Sequence, residues 1–127
     1  MSNQNTFLLD KNAVIYLING EQTVLDLIDN KSVAINFVVE IELLCWPNMT
    51  IALQKIINNL LKEIQYFDYS HRIKQSTIEI RKSTKLKLGD ALIAATALEY
   101  DLTLVSADKS FSKIQDLRLI NFLPTSK

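Results

Sequence analysis

Four carboxylates stand at, or about one turn beyond, places where an apolar run gives way to a different pattern. Asp10 ends the run Phe7-Leu8-Leu9, and Asp108 follows the stretch Leu102 to Val105 by a few residues. Asp90 opens the segment DALIAATALEY, and Glu42 lies about one turn beyond the apolar stretch SVAINF. Carboxylates that converge repel one another by roughly 4 kcal/mol per close pair at an effective dielectric near 20. A folded chain tolerates this when a cation neutralises them or when one carboxyl keeps its proton. Oxygen-only ligands suit Mg²⁺ or Mn²⁺ better than zinc, which prefers nitrogen or sulfur. A hard cation held this way can activate a water and steady charge on a phosphodiester, so the implied chemistry is metal-assisted hydrolysis. Each acid also has a plainer reading. Asp10 and Asp90 can be helix N-caps, Asp108 can close an Asx-turn, and Glu42 can be the exposed edge of its helix with Glu40 the more buried.

The elements that must position these acids alternate between strand and helix. Phe7 to Leu9 reads as a short buried strand, with Ala13 to Ile18 and Thr23 to Ile28 as helices parted by the turn signal Asn19-Gly20. Ser32 to Phe37 is a second strand, and Val38 to Cys45 a helix apolar on most sides and limited by Pro47. Ile51 to Leu61 is a longer helix, Ile64 to Phe67 a third strand, and Ser70 to Lys85 a polar helix. Asp90 to Tyr100 is a strong helix, followed by a fourth strand over Leu102 to Val105 and a fifth over Leu117 to Ile120. This alternation predicts an α/β fold: a mostly parallel sheet of four to five strands flanked by helices, in one domain over residues 1–127. Such sheets bind ligands beyond the carboxyl ends of their strands, where Asp10 and Asp108 are expected to share an edge.

Composition narrows the field further. The chain has 127 residues, 48% of them hydrophobic, which suits one globular core. Fourteen Lys and Arg balance fourteen Asp and Glu, which excludes an overall basic coat for nucleic acid but not a local patch. Two glycines are too few for a phosphate-cradling loop, and the single cysteine cannot form an internal disulfide or a Cys-rich zinc site. A reducing, cytoplasmic setting is expected, with no signal peptide at the start and no run of the roughly 18 apolar residues that cross a membrane. His71 is the only histidine, so a Ser-His-Asp or Cys-His hydrolase has little support.

Between residues 71 and 88, six Lys or Arg face one acid, Glu79. On a helix, Lys74, Arg81 and Lys85 fall within about 40° of one another, a stripe leading toward Asp90 that suits RNA phosphates or a merely solvated face. Ile73, Thr77, Ile80 and Thr84 form the adjoining buried face. Cys45 reads as a small buried hydrophobe. The helix from Ile51 carries more apolar residues than one face needs, which suits either core packing or a homodimer contact.

The stretches LLDKNAVIYL, AINFVVEIELL, KLKLGDALIAATAL and TLVSADKSF together resemble the four acidic motifs of PIN domains, in their VapC-like toxin branch. They occur in that family's order and spacing, over about Phe7 to Phe122. The resemblance implies a PIN-like fold and a Mg²⁺-dependent ribonuclease acting on RNA, with a cognate antitoxin protein as partner. Residue by residue, it places the family's metal-binding and catalytic acids on Asp10, Glu42, Asp90 and Asp108. It matches Asn12 to a polar residue supporting the first acid, and Ser106 to the hydroxyl preceding the last. Lys11 stands where the family usually has Thr or Ser, Asn36 and Val39 replace a Ser and a Thr, Gly89 replaces a Pro, and Ser110 replaces an Asp. A partially buried Glu42 is expected, with Glu40 about 200° away on the same helix and unable to share its site.

Rival readings fit less of the chain. A phosphoacceptor receiver would use Asp10, Asp68 and Lys109, but Lys11 occupies the place of its second adjacent acid. A haloacid-dehalogenase phosphatase needs Asp-x-Asp, and Asp10-Lys11-Asn12 lacks the second Asp. A PIN domain that binds RNA or a partner without cleaving is the stronger alternative, and four intact acids speak against it.

Overall fold

The computed structural model describes residues 5–125. Five parallel strands form one sheet: β1 (Thr6–Leu9), β2 (Ser32–Asn36), β3 (Gln65–Phe67), β4 (Thr103–Ser106) and β5 (Leu119–Asn121). Their order across the sheet is β3-β2-β1-β4-β5, and all four pairings are parallel. The central strands β1 and β4 are buried throughout, which is why both read as continuous apolar or β-branched runs rather than alternating ones. The expectation of an α/β fold with a mostly parallel sheet of four to five strands holds.

Among the described residues there are six α-helices: α1 (Lys11–Ile18), α2 (Gln22–Ile28), α3 (Phe37–Leu44), α4 (Ile51–Glu63), α5 (His71–Ser83) and α6 (Leu88–Tyr100). A short 3-10 helix spans Lys109–Lys113. Helix α6 buries Ala91, Ile93, Ala94, Ala95, Thr96 and Ala97. Its alanines combine high helix propensity with small volume, so α6 can lie deep between the sheet and α5, its principal partner. No helix among the described residues is long and apolar enough to cross a membrane.

Three local expectations are corrected. Phe37 starts α3 instead of ending β2, because the Asn36 side chain accepts the Val39 N–H at 3.0 Å and caps the helix. Helix α5 ends at Ser83, so Lys85 is not on it. Thr84 turns its hydroxyl back to the Ile80 carbonyl at 2.8 Å, and its backbone is extended. Cys45 is exposed, because it follows the last turn of α3 rather than facing the core. Helix α4 buries Ile57 but leaves Ile51 82% exposed, so the core takes only part of its apolar surplus.

Register sets the functional edge. Thr6 pairs with Ser32, Phe7 with Thr103, and Ser106 with Asn121. Carried past Leu9, the same register puts Asp10 level with Asn36 on one side and Ser106 on the other. A polar row, Asn36, Asp10, Ser106 and Asn121, thus crosses the carboxyl ends of four strands whose interiors are apolar.

Candidate active site

Asp10 sits in the middle of that row and is only 8% exposed. Its Oδ1 accepts the Ala13 N–H at 2.9 Å, capping α1. Its Oδ2 accepts the Ser106 hydroxyl at 2.5 Å, the contact that the register demands. Burial pushes its pKa above the usual carboxylate value. The bonds from Ser106 and Ala13 oppose that rise, while the charges of Asp90 and Asp108 add to it.

Asp90 occupies the first turn of α6 and is half-buried. It is not the cap, because Lys87 holds that position without a side-chain bond. Helix α6 precedes β4 and runs back against it, so its start lies at the carboxyl edge of the sheet. Burial raises the Asp90 pKa, the charge of Asp108 raises it further, and Lys87 lowers it. A carboxylate near a helix N-terminus also gains from the macrodipole.

Asp108 is exposed and caps the 3-10 helix. Its Oδ1 accepts the Ser110 N–H at 2.9 Å and the Ser110 hydroxyl at 2.7 Å, the Asx-turn reading of its sequence. Those two bonds hold its pKa below the usual value; burial opposes them and Lys87 assists. Its own N–H donates to the Ser106 Oγ at 3.0 Å. Ser106 therefore joins Asp10 to Asp108 through one buried hydroxyl.

The structure thus brings Asp10, Asp90 and Asp108, from three separate elements, within reach of one another's charge. Asp90 and Asp108 line a cleft of about 230 Å³ together with Ser110, Lys85, Lys87 and Lys113. Glu42 is placed differently. It is exposed, not partly buried, and it lines a separate cleft with Lys11, Ile15, Trp46 and Pro47. Chain continuity still ties that cleft to the site, because Lys11 follows Asp10. Glu40 is the more buried of the pair. Asn12 is exposed, and the bonds to Asp10 come from Ala13 and Ser106 instead.

The basic stripe is broken up. Lys74 and Arg81 stay on α5, where Arg81 lines another cleft with Ile78 and Leu88. Lys85 moves to the connector and joins the acids, as does Lys113, which sequence reasoning passed over. A basic residue in the last turn of the 3-10 helix was its only signal. Asn36 was read as a departure from a motif. It is fully buried, caps α3, and donates through Nδ2 to the Thr96 Oγ1 at 3.1 Å, tying α3 to α6.

Among the described residues, no three His, Cys, Asp or Glu side chains stand close enough to hold one metal ion among them. The donor chemistry nevertheless fits a hard cation: the acids are oxygen-only, and their mutual repulsion is only partly offset by Lys87. Mg²⁺ in particular keeps several waters and needs only one or two carboxylates alongside substrate phosphates, so a three-acid cage is not required.

A parallel α/β domain with carboxylates gathered at the carboxyl edge of its sheet defines the class. The family follows: residues 7–117 match the PIN domain model, and the chain belongs to the PIN domain family. Domains of this family are generally nucleases. No curated protein matches the sequence. Among solved structures, the chain resembles one in VapBC2 from Rickettsia felis, bound to a DNA fragment from their promoter. There the TM-score is 0.81 and the identity 24%, covering 92% of this chain and 98% of that one. VapBC-1 from nontypeable Haemophilus influenzae gives 0.80 at 19% identity, over 91% and 97%. DNA-bound VapBC from Salmonella typhimurium gives 0.78 at 21% identity, over 91% and 96%.

Proposed function

We propose that this PIN domain is a Mg²⁺- or Mn²⁺-dependent endoribonuclease and the toxin of a toxin–antitoxin pair. The observation that carries the reading is the convergence of Asp10, Asp90 and Asp108 at the carboxyl edge of the sheet, linked through Ser106. The partner half of the proposal rests on the VapBC structures that this fold resembles over nearly its whole length.

Asp90 and Asp108 flank the open cleft and are the residues that would hold the cation, with Asp10 behind them. A divalent cation, when bound, lowers the pKa of a water and neutralises charge on the phosphodiester. Ser110 keeps the Asp108 carboxylate ionised and fixes its orientation. Ser106 and the Ala13 N–H hold both oxygens of Asp10, so this carboxylate is positioned before any substrate arrives. Glu42 would act from the neighbouring cleft, on the Lys11 side of Asp10.

The test is cleavage of structured and single-stranded RNA with Mg²⁺, with chelator, and in the Asp10→Asn and Asp90→Asn variants. Chelation should abolish cleavage, and each variant should lower the rate by orders of magnitude. Equal cleavage by the parent and both variants would reject the reading. RNA binding without any cleavage would leave a non-cleaving RNA-binding module.

A further inference from the structure

The connector between α5 and α6 carries Lys85-Leu86-Lys87, and its two ends, Thr84 and Lys87, have extended backbone. Leu86 is buried and its N–H is held by the Thr84 hydroxyl at 3.3 Å. Lys85 and Lys87 both line the cleft that holds Asp90 and Asp108, with the buried Leu86 in its wall between them. Lys113, from the end of the 3-10 helix, lines the same cleft. None of the three makes a salt bridge among the described residues, where the ion pairs are Arg72–Glu99, Lys82–Glu79 and Arg118–Asp101. Three unpaired ammonium groups beside two carboxylates, in a chain of zero net charge, form a local cationic wall.

We infer that Lys85, Lys87 and Lys113 grip the phosphates of a single-stranded RNA next to the scissile bond, so that the strand leaves the acids over the α5–α6 connector. This assignment rests on the nuclease reading, and it moves the grip away from Lys74 and Arg81. The acids alone would repel a polyanion; the lysines convert the same cleft into one that admits it. Lysine suits the task because its flexible stem follows phosphates without demanding a base sequence.

The experiment measures binding of a labelled mixed-sequence RNA at several salt concentrations, in the full chain carrying Asp10→Asn to stop cleavage. Two variants on that background, Lys85→Ala/Lys87→Ala/Lys113→Ala and Lys74→Ala/Arg81→Ala, are compared with the reference that carries neither set. Each lost single-strand contact lowers the salt slope by about 0.7, so the triple variant should lose about 2. A fourfold rise in salt should then weaken its binding about twentyfold less than it weakens the reference. The Lys74/Arg81 variant should keep the reference slope. An unchanged slope in the triple variant, or a slope lost in the Lys74/Arg81 variant instead, overturns the assignment. Cleavage by the chain with Asp10 intact is measured alongside. If it cleaves while the triple substitution leaves the slope alone, the lysine grip is wrong and the nuclease reading stands. If it neither binds nor cleaves RNA, the nuclease reading itself fails, and this inference with it.

Discussion

Replacing Ser106 with Ala tests how a buried carboxylate is held at this edge. The Ser106 hydroxyl is fully buried, donates to Asp10 Oδ2 and accepts the Asp108 N–H. A hydrogen bond to a charged group contributes about 1.5–3 kcal/mol, and a neutral one about 0.5–1.5. The exposed Asp108 can recover part of its lost bond from water, so the expected loss near neutral pH is about 2–3 kcal/mol. The pH dependence has a defined sign. Asp10 titrates above its usual value in the folded chain, so the folded state holds the proton more tightly than the unfolded one. Its contribution to stability is full at low pH and falls as pH rises through the window between the two values. The Ser106 bond limits that fall by favouring the ionised form, and the variant should extend the window upward. Below the ordinary value of 3.8, both proteins carry a protonated Asp10, and the cost should shrink to that of a neutral bond, about 1 kcal/mol. Urea unfolding near neutral pH and near pH 3 measures both limits. An equal cost at the two values, or one under about 1 kcal/mol near neutral pH, would refute the claim that Ser106 supports an ionised Asp10.

Asp10→Asn should raise stability near neutral pH in metal-free buffer and flatten its fall with rising pH, because Asn caps a helix as well as Asp and carries no buried charge. Thermal melts over a pH series check this, and the same melts with Mg²⁺ should show stabilisation of the parent that the variant loses. Asn36→Ala should cost about 2–4 kcal/mol in urea unfolding, since it removes the α3 cap and leaves the buried Val39 N–H and the Thr96 hydroxyl short of a partner. A cost under about 0.5 kcal/mol would mean that α3 does not depend on that cap.

Much of the edge was legible because its logic is local. An Asp directly after a buried apolar run in an alternating strand–helix chain must emerge at the carboxyl end of a parallel strand, and Asp10 and Asp108 do. Asp90 was legible for the same reason, since a helix that returns along the sheet starts at that edge. What escaped were positions set by chain breaks rather than by periodicity. The apolar pattern of SVAINF runs on through Phe37, yet Asn36 breaks it with a side chain that competes for the next turn's N–H groups. The α5 pattern runs on to Lys85, yet the Thr84 hydroxyl closes the last turn and sends the chain out extended. That single break moves Lys85 from a helical stripe to the acidic cleft. Glu42 shows the opposite limit. Its apolar neighbours Ile41, Leu43 and Leu44 suggested cover, but only Leu43 is buried, and Ile41 and Leu44 are exposed along with Glu42 itself.

The three acids that converge are not equivalent, and their differences follow from depth. Asp10 is buried, Asp90 half-buried and Asp108 exposed, so desolvation dominates the first two and hydrogen bonding the third. Environments that push neighbouring carboxyls in opposite directions separate their tasks. Asp108, held ionised by Ser110, supplies standing negative charge at the mouth of the cleft. Burial is the main cause of the rise at Asp10, and a smaller part of it comes from Asp90 and Asp108 themselves. Positive charge arriving beside those two would remove that part and leave burial opposed by the bonds from Ser106 and Ala13. Lys87 already acts on Asp90 and Asp108 in this sense. Ionisation at the back of the site is thereby coupled to occupation at its front, through charges that the strand register and the α6 start bring together.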